Sequence, residues 1–132
     1  MSDLAKHLGQ TPYAAFLGLE WKVGDEGVLV RMPMAQKLIG NPMLPALHGG
    51  ATAALLELAA AAEVARLYPT RQPARPINVT VSYLRSGKAV ETSATATVAR
   101  AGRRILHVEA RAWQDETETA IATLSAHFLV EE

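Results

Sequence analysis

The stretch Asn41-Pro-Met-Leu-Pro-Ala-Leu-His48-Gly49-Gly50 runs without a break into Ala51-Thr-Ala-Ala-Leu55-Leu56-Glu57-Leu58, and its reading decides the fold. A His-Gly-Gly turn opens a run that, from Ala51 to Ala62, contains only Ala, Thr, Leu and a single Glu. A helix apolar on nearly every face is normally buried rather than laid on the surface. This one is too short, and too acidic at its centre, to cross a bilayer. Glu57 is therefore expected on a buried helix, where an ionised carboxylate is costly unless something compensates or the proton stays on. Each part also has a plainer reading. A glycine pair before a helix is often just a turn that needs positive φ or close packing, and a lone Glu often marks the edge of a solvated face. Their conjunction, with the rest of the chain around them, favours a site.

Working outward, the helix is expected from Gly49 to Tyr68, where Pro69 ends it. Upstream, Ala35 to Leu47 holds Gly40, Pro42 and Pro45 with no period, and reads as a loop. Before it, Leu19–Val23 and Val28–Pro33 flank the turn cluster Gly24-Asp-Glu-Gly27, a hairpin pattern. Residues 1–17 form a short helical segment: Asp3 to Leu8 ended by Gly9, then a turn that starts at Thr11-Pro12 and stops at Gly18. Downstream, Thr70 to Arg75 is a second loop, and beyond it the period becomes two. Ile77, Val79, Val81 and Tyr83 share one face of a strand. Strands over Val90–Arg100, Arg104–Trp113 and Thr117–Val130 follow, joined by short turns, each with one apolar and one mixed face. The expected architecture is α+β: a hairpin, one apolar helix and a four-strand meander, the curved antiparallel sheet covering the helix in one domain over residues 1–132. One sheet covers one side of such a helix, so a second subunit is the expected cover for the other.

Composition narrows the function. At 132 residues, with thirteen basic and thirteen acidic side chains, the chain carries no charge bias toward nucleic acid or an anionic membrane. The absence of cysteine removes disulfides, thiol nucleophiles and thiolate metal sites. The first residues, Met1-Ser-Asp-Leu-Ala-Lys-His, lack a signal pattern, so the expectation is a soluble cytoplasmic protein. His7, His107 and His127 have no metal-ligand spacing, and no metal is expected.

The order of elements, with Leu47-His48-Gly49-Gly50, Glu57 eight residues after Gly49, and Ser82-Tyr83-Leu84-Arg85 on the strand after the helix, resembles the hotdog-fold acyl-CoA thioesterases. It is most similar to the subgroup of the phenylacetate-degradation thioesterase, over about residues 12 to 130. The resemblance implies a fold in which a sheet wraps one central helix. It also implies hydrolysis of an acyl-CoA to free acid and coenzyme A, with no cofactor beyond the coenzyme A of the substrate. The implied assembly is a homodimer or dimer of dimers, with the active site completed across the subunit interface.

The chemistry suits the spacing. A thioesterase needs an activated water or a nucleophile on one side of the carbonyl and a donor for the oxyanion on the other. A helix start supplies free N–H groups and partial positive charge, and a glycine there keeps no side chain between them and a carbonyl. The resemblance gives the Gly49 N–H the oxyanion role, usually the strongest single contribution to rate in such sites. It gives Glu57 the role of general base, or of nucleophile through an anhydride. Ala53, Ala54, Ala60 and Ala61 around Glu57 are apolar neighbours of the kind that raise a carboxyl's proton affinity toward working pH. His48 reads as a structural holder of the turn more than as a base, and Gly50 completes the substrate-binding turn. Among Arg85, Lys88, Arg100, Arg103 and Arg104, the residues Arg85, Arg103 and Arg104 are candidates to cradle coenzyme A phosphates; the plainer alternative is a solvated rim.

Three positions depart from the family pattern. This branch more often carries Asp at the acid position, whereas here it is Glu57, as in aryl-CoA relatives of halobenzoate degradation. Asn41 stands seven residues before His48 rather than six, which unsettles the role of that asparagine in orienting water or carbonyl. The serine or threonine some members place at the start of the next strand aligns with Pro76, so Asn78 or Thr80 is expected to substitute. Two other functions compete. A hotdog enoyl-thioester hydratase or dehydratase of the fatty-acid type would place a histidine where Met43 stands, and the hydratase Asp-x-x-x-x-x-His pattern is absent around the loop. A non-catalytic acyl-CoA-binding protein would keep a pocket without an acid, which Glu57 argues against.

Overall fold

A computed structural model describes residues 3–69 and 75–130. Two short helices, α1 (Asp3–Gly9) and α2 (Pro12–Leu17), lead in, and Gly18 ends α2 at φ +74°, in the left-handed region that glycine enters without strain. β1 (Glu20–Gly24) and β2 (Gly27–Met32) form the expected hairpin, with Val28, Val30 and Met32 buried in alternation. The long helix α3 spans Gly49–Leu67. After it come β5 (Arg75–Tyr83), β6 (Thr92–Ala101), β7 (Ile105–Trp113) and β8 (Ala120–Leu129). The second expected loop lies mostly at 70–74, outside the described residues.

All ladders of the large sheet are antiparallel, in the order β1-β2-β6-β7-β8-β5. The four last strands are therefore no simple meander. Only β6, β7 and β8 follow one another; β5 pairs with β8, and β6 with β2. The segment between β5 and β6 is not a hairpin turn but a connection across the end of the sheet. It is held there by the bridge Ala46–Lys88 and by the Leu47 N–H donating to the Gly87 carbonyl at 3.0 Å. The segment expected as loop from Ala35 to Leu47 also has structure: a 3-10 turn at Gln36–Leu38, then the small ladder β3 (Ile39–Asn41) with β4 (Ala46–Leu47). Such short pairing leaves no period in a sequence. The last strand starts at Ala120, later than expected, because a turn at 116–119 closes with the Thr119 N–H on the Glu116 carbonyl.

The core lies between α3 and the inner face of the sheet. Leu55, Leu56, Ala59 and Ala60 of α3 are fully buried, as are Ala94, Val108, Ala112, Ala126 and Phe128 on the strands. Alanine at so many facing positions lets the helix approach the sheet closely, and each fully buried leucine then adds about 2 kcal/mol of transfer free energy. The helix packs mainly on β2, β6 and β7. It leaves the inner side of the edge strand β5 bare, with Ile77 54% and Tyr83 56% exposed. On α3 itself, Ala53, Ala54, Glu57, Leu58 and Ala61 are only half-buried. The helix is thus covered on one side, and Glu57 stands on the other, not in the core as the all-apolar pattern suggested.

Candidate functional site

The turn that opens α3 is built by three restraints. His48 caps the helix: its Nδ1 accepts the Gly50 N–H at 2.9 Å, so the acceptor nitrogen is bare and any ring proton sits on Nε2. The Ala51 and Thr52 N–H groups both donate to the His48 carbonyl. The Tyr83 hydroxyl, from β5, donates to the Gly49 carbonyl at 2.8 Å. That accounts for the N–H groups of residues 50, 51 and 52. The Gly49 N–H has no hydrogen-bond partner among the described residues, and it is the free donor of this helix start.

Close approach explains two glycines here. A Cβ on Gly40 would stand 2.7 Å from the His48 Cα, so the β3–β4 ladder passes the turn only because residue 40 has no side chain. A Cβ on Gly49 would stand 3.3–3.4 Å from the Tyr83 ring, tight but not impossible. Beside Gly49 lies a cleft of about 350 Å³, walled by Leu47, Thr52, Tyr83, Arg85, Gly87 and Ile121 among others. Its lining mixes apolar Leu47 and Ile121 with polar Thr52 and Arg85 beside the helix start.

The candidate residues do not all gather. Gly49, Tyr83 and Arg85 line the cleft, while His48 and Gly50 hold the turn behind Gly49 through their own hydrogen bond. One guanidinium nitrogen of Arg85 (Nη1) donates to the Ala120 carbonyl, which anchors the side chain on the cleft wall. Asn41 spends its Oδ1 on the Met43 N–H at 3.0 Å, a local turn two residues long. Glu57 is eight residues beyond Gly49 on the same helix, about 12 Å along the axis at the usual rise. One thioester carbonyl cannot span both groups of a single chain.

Asn78 and Thr80 face the wrong way to replace the residue at Pro76. They pair with His127 and Ser125, whose neighbours Leu124, Ala126 and Phe128 point inward, so all four side chains lie on the outer face of the sheet. Asn78 Oδ1 sits 3.0 Å from His127 Nδ1, and His127 stacks on His107 with ring centroids 4.9 Å apart. The register shift between Pro76 and Asn78 separates the two positions: Pro76 pairs with the inward Phe128, Asn78 with the outward His127. The alternation read from the sequence already put Ile77, Val79, Val81 and Tyr83 together, and so Asn78 and Thr80 on the other face.

Arg103 and Arg104 lie in the turn between β6 and β7, at the opposite end of the sheet from Gly49. The nine residues of β7 separate the two ends by roughly 25 Å, so these arginines and Arg85 form no common cradle within one chain. The sequence reading passed over Glu63 and Arg66, which hold a part-buried ion pair near the far end of α3; their i, i+3 spacing was the available signal. Among the described residues no three His, Asp or Glu side chains gather as a metal site, and no helix is long and apolar enough to cross a membrane.

A six-stranded antiparallel sheet packed on one apolar helix, with a glycine turn at the helix start, defines a hotdog domain of the thioesterase class. The family model of the acyl-CoA thioesterase N-terminal domain matches residues 40–129, and the chain belongs to that family. Among solved structures it is similar to a Shewanella oneidensis protein related to the thioesterase superfamily, at 30% identity and TM-score 0.81, with 96% of this chain and 92% of the other covered. It is similar in fold to a Bacillus halodurans protein solved with CoA (24% identity, TM-score 0.82, 97% and 87% covered). The same holds for a phenylacetic acid degradation-related candidate thioesterase of Ralstonia eutropha (19%, TM-score 0.83, 97% and 99% covered). None of the curated proteins compared with the chain matches it.

Proposed function

We propose that the domain hydrolyses an acyl-CoA thioester, with the Gly49 N–H as oxyanion donor and Glu57 as general base or nucleophile, in a site shared by two copies of the chain. The observation that carries this reading is the free Gly49 N–H in a turn whose other donors are satisfied, at a residue that lines a cleft. In the general-base form, Glu57 takes a proton from water as its oxygen bonds to the thioester carbonyl. The oxyanion is held by the Gly49 N–H, the C–S bond breaks, and the thiolate leaves to be protonated as coenzyme A. In the nucleophilic form the Glu57 carboxylate attacks the thioester carbonyl, the C–S bond breaks and coenzyme A leaves as the thiolate, and water then opens the resulting anhydride to give the free acid and restore the carboxylate. Neither form calls on a cofactor.

The 12 Å between Gly49 and Glu57, about eight residues of helical rise, supports a shared site, because a two-fold pairing of the half-buried face of α3 would bring the turn of one copy toward the acid of the other. The bare inner side of β5 and the half-buried α3 face offer the apolar surface for that pairing. Arg103 and Arg104 then serve coenzyme A phosphates only from a second copy, while Arg85 acts within its own chain. The test is thiol release from a panel of acyl-CoAs. Glu57→Gln should lower turnover about a hundredfold or more, the usual contribution of a positioned base. A variant that keeps the wild-type rate ends the catalytic assignment and leaves acyl-CoA binding alone.

A further inference from the structure

The peptide unit between Gly49 and Gly50 is gripped at both polar atoms by side chains from two different elements. Its oxygen accepts the Tyr83 hydroxyl at 2.8 Å, and its N–H donates to His48 Nδ1 at 2.9 Å. Two consecutive glycines have the least intrinsic restraint on φ and ψ of any residue pair. Their own side chains add nothing to hold that peptide; the Gly49 N–H belongs to the preceding peptide, whose His48 carbonyl accepts the Ala51 and Thr52 N–H groups, so the two peptides that meet at the Gly49 Cα are each held by hydrogen bonds. The tyrosine ring also lies against the Gly49 Cα, close enough that a Cβ there would touch the ring and the hydroxyl. Tyr83 sits on the bare inner side of the edge strand, more than half exposed, and lines the cleft rather than the core.

We infer that Tyr83 is a positioning residue: its hydroxyl, with His48, holds the Gly49–Gly50 peptide so that the Gly49 N–H points into the cleft where an oxyanion forms. This rests on the oxyanion role proposed for Gly49. The clamp is preformed, so the donor needs no reorganisation when charge develops, which is what makes such donors effective. A hydrogen bond to a carbonyl next to the donor acts on direction, not on substrate affinity. Its loss therefore belongs to turnover rather than to binding.

Tyr83→Phe keeps the ring over Gly49 and removes only the hydroxyl. The expected result is a roughly tenfold drop in kcat with KM unchanged, smaller than the hundredfold or more expected for removing the donor itself. Backbone amide exchange, read by NMR on the same variant, should show faster exchange at Gly50 with the rest of α3 as protected as in wild type. A Tyr83→Phe enzyme with wild-type kcat overturns the proposal, whatever the exchange shows. Unchanged Gly50 exchange overturns the clamp even if kcat falls, and a loss shared between KM and the protection of the whole helix assigns Tyr83 to packing instead. Failure of the underlying reading looks different: Gly49→Val, folded and fully active, removes the oxyanion role and the positioning role with it.

Discussion

Glu63 and Arg66 form a two-pronged ion pair one turn apart on α3, with both carboxylate oxygens 2.8 Å from guanidinium nitrogens. Glu63 is the buried carboxylate of the helix, at 5% exposure, whereas Glu57 is half-buried and free of hydrogen bonds among the described residues. The Glu63 hydrogen bond, and then its charge, hold the Arg66 guanidinium above its ordinary proton affinity against the opposing effect of burial. Arg66 reaches on to the Asp25 carbonyl and ties the end of α3 to the β1–β2 turn. The two acids of one helix thus have separate duties: one neutralised and structural, one left available.

Glu63→Ala should destabilise the fold by about 1–2 kcal/mol, since it takes the paired carboxylate from a part-buried guanidinium that keeps only its bond to the Asp25 carbonyl. Thermal or urea unfolding measures this. Turnover per folded molecule should be unchanged; a large loss of kcat without loss of stability would place Glu63 in the chemistry.

A shared site predicts complementation. Glu57→Gln and Gly49→Val homodimers should each be nearly inactive, because each lacks half of the machinery. Subunit exchange in an equal mixture makes half the dimers mixed, each with one intact site of two, so activity should rise to about a quarter of wild type. No recovery, with mixed dimers verified by mass, would place the acid and the donor in the same chain's site.

Gly40→Ala should damage the site without touching substrate. The new methyl would stand 2.7 Å from the His48 backbone, so β3 must move away from the turn that His48 caps. The expected cost is about 1–3 kcal/mol from overpacking, together with reduced kcat. A variant of wild-type stability and turnover would mean that β3 can shift freely past the turn.

The arginine turn offers a substrate-dependent test. Arg103→Ala with Arg104→Ala should weaken hydrolysis of acyl-CoA, chiefly in KM, and added salt should mimic the change on wild type. A short N-acetylcysteamine thioester, which has no nucleotide, should be hydrolysed as before. Equal loss on both substrates would assign the pair to the fold or the interface; no loss on either would return it to the solvated rim.

Much of this was legible in the chain before folding. Period-two alternation placed Ala94, Ala96, Leu106, Val108, Leu124, Ala126 and Phe128 on inward faces, and the Ala/Leu run from Gly49 marked the helix the sheet packs on. Those are local properties, set by the 2.0 and 3.6 periods of strand and helix. The family resemblance was carried by the same short run, His48-Gly49-Gly50 with Glu57. Tertiary structure alone decided the rest. That β5 lies beside β8 and not β6 depends on closing a long loop, for which adjacent sequence holds no signal. That Pro76 pairs with the inward Phe128 while Asn78, two residues on, meets the outward His127 depends on a register shift. The partner of Gly49 is Tyr83, thirty-four residues away, found only once strand and helix are packed. An apolar pattern says that a helix face can be buried; it takes the packed sheet to say which face is covered, and that the face with Glu57 is the one left half-open.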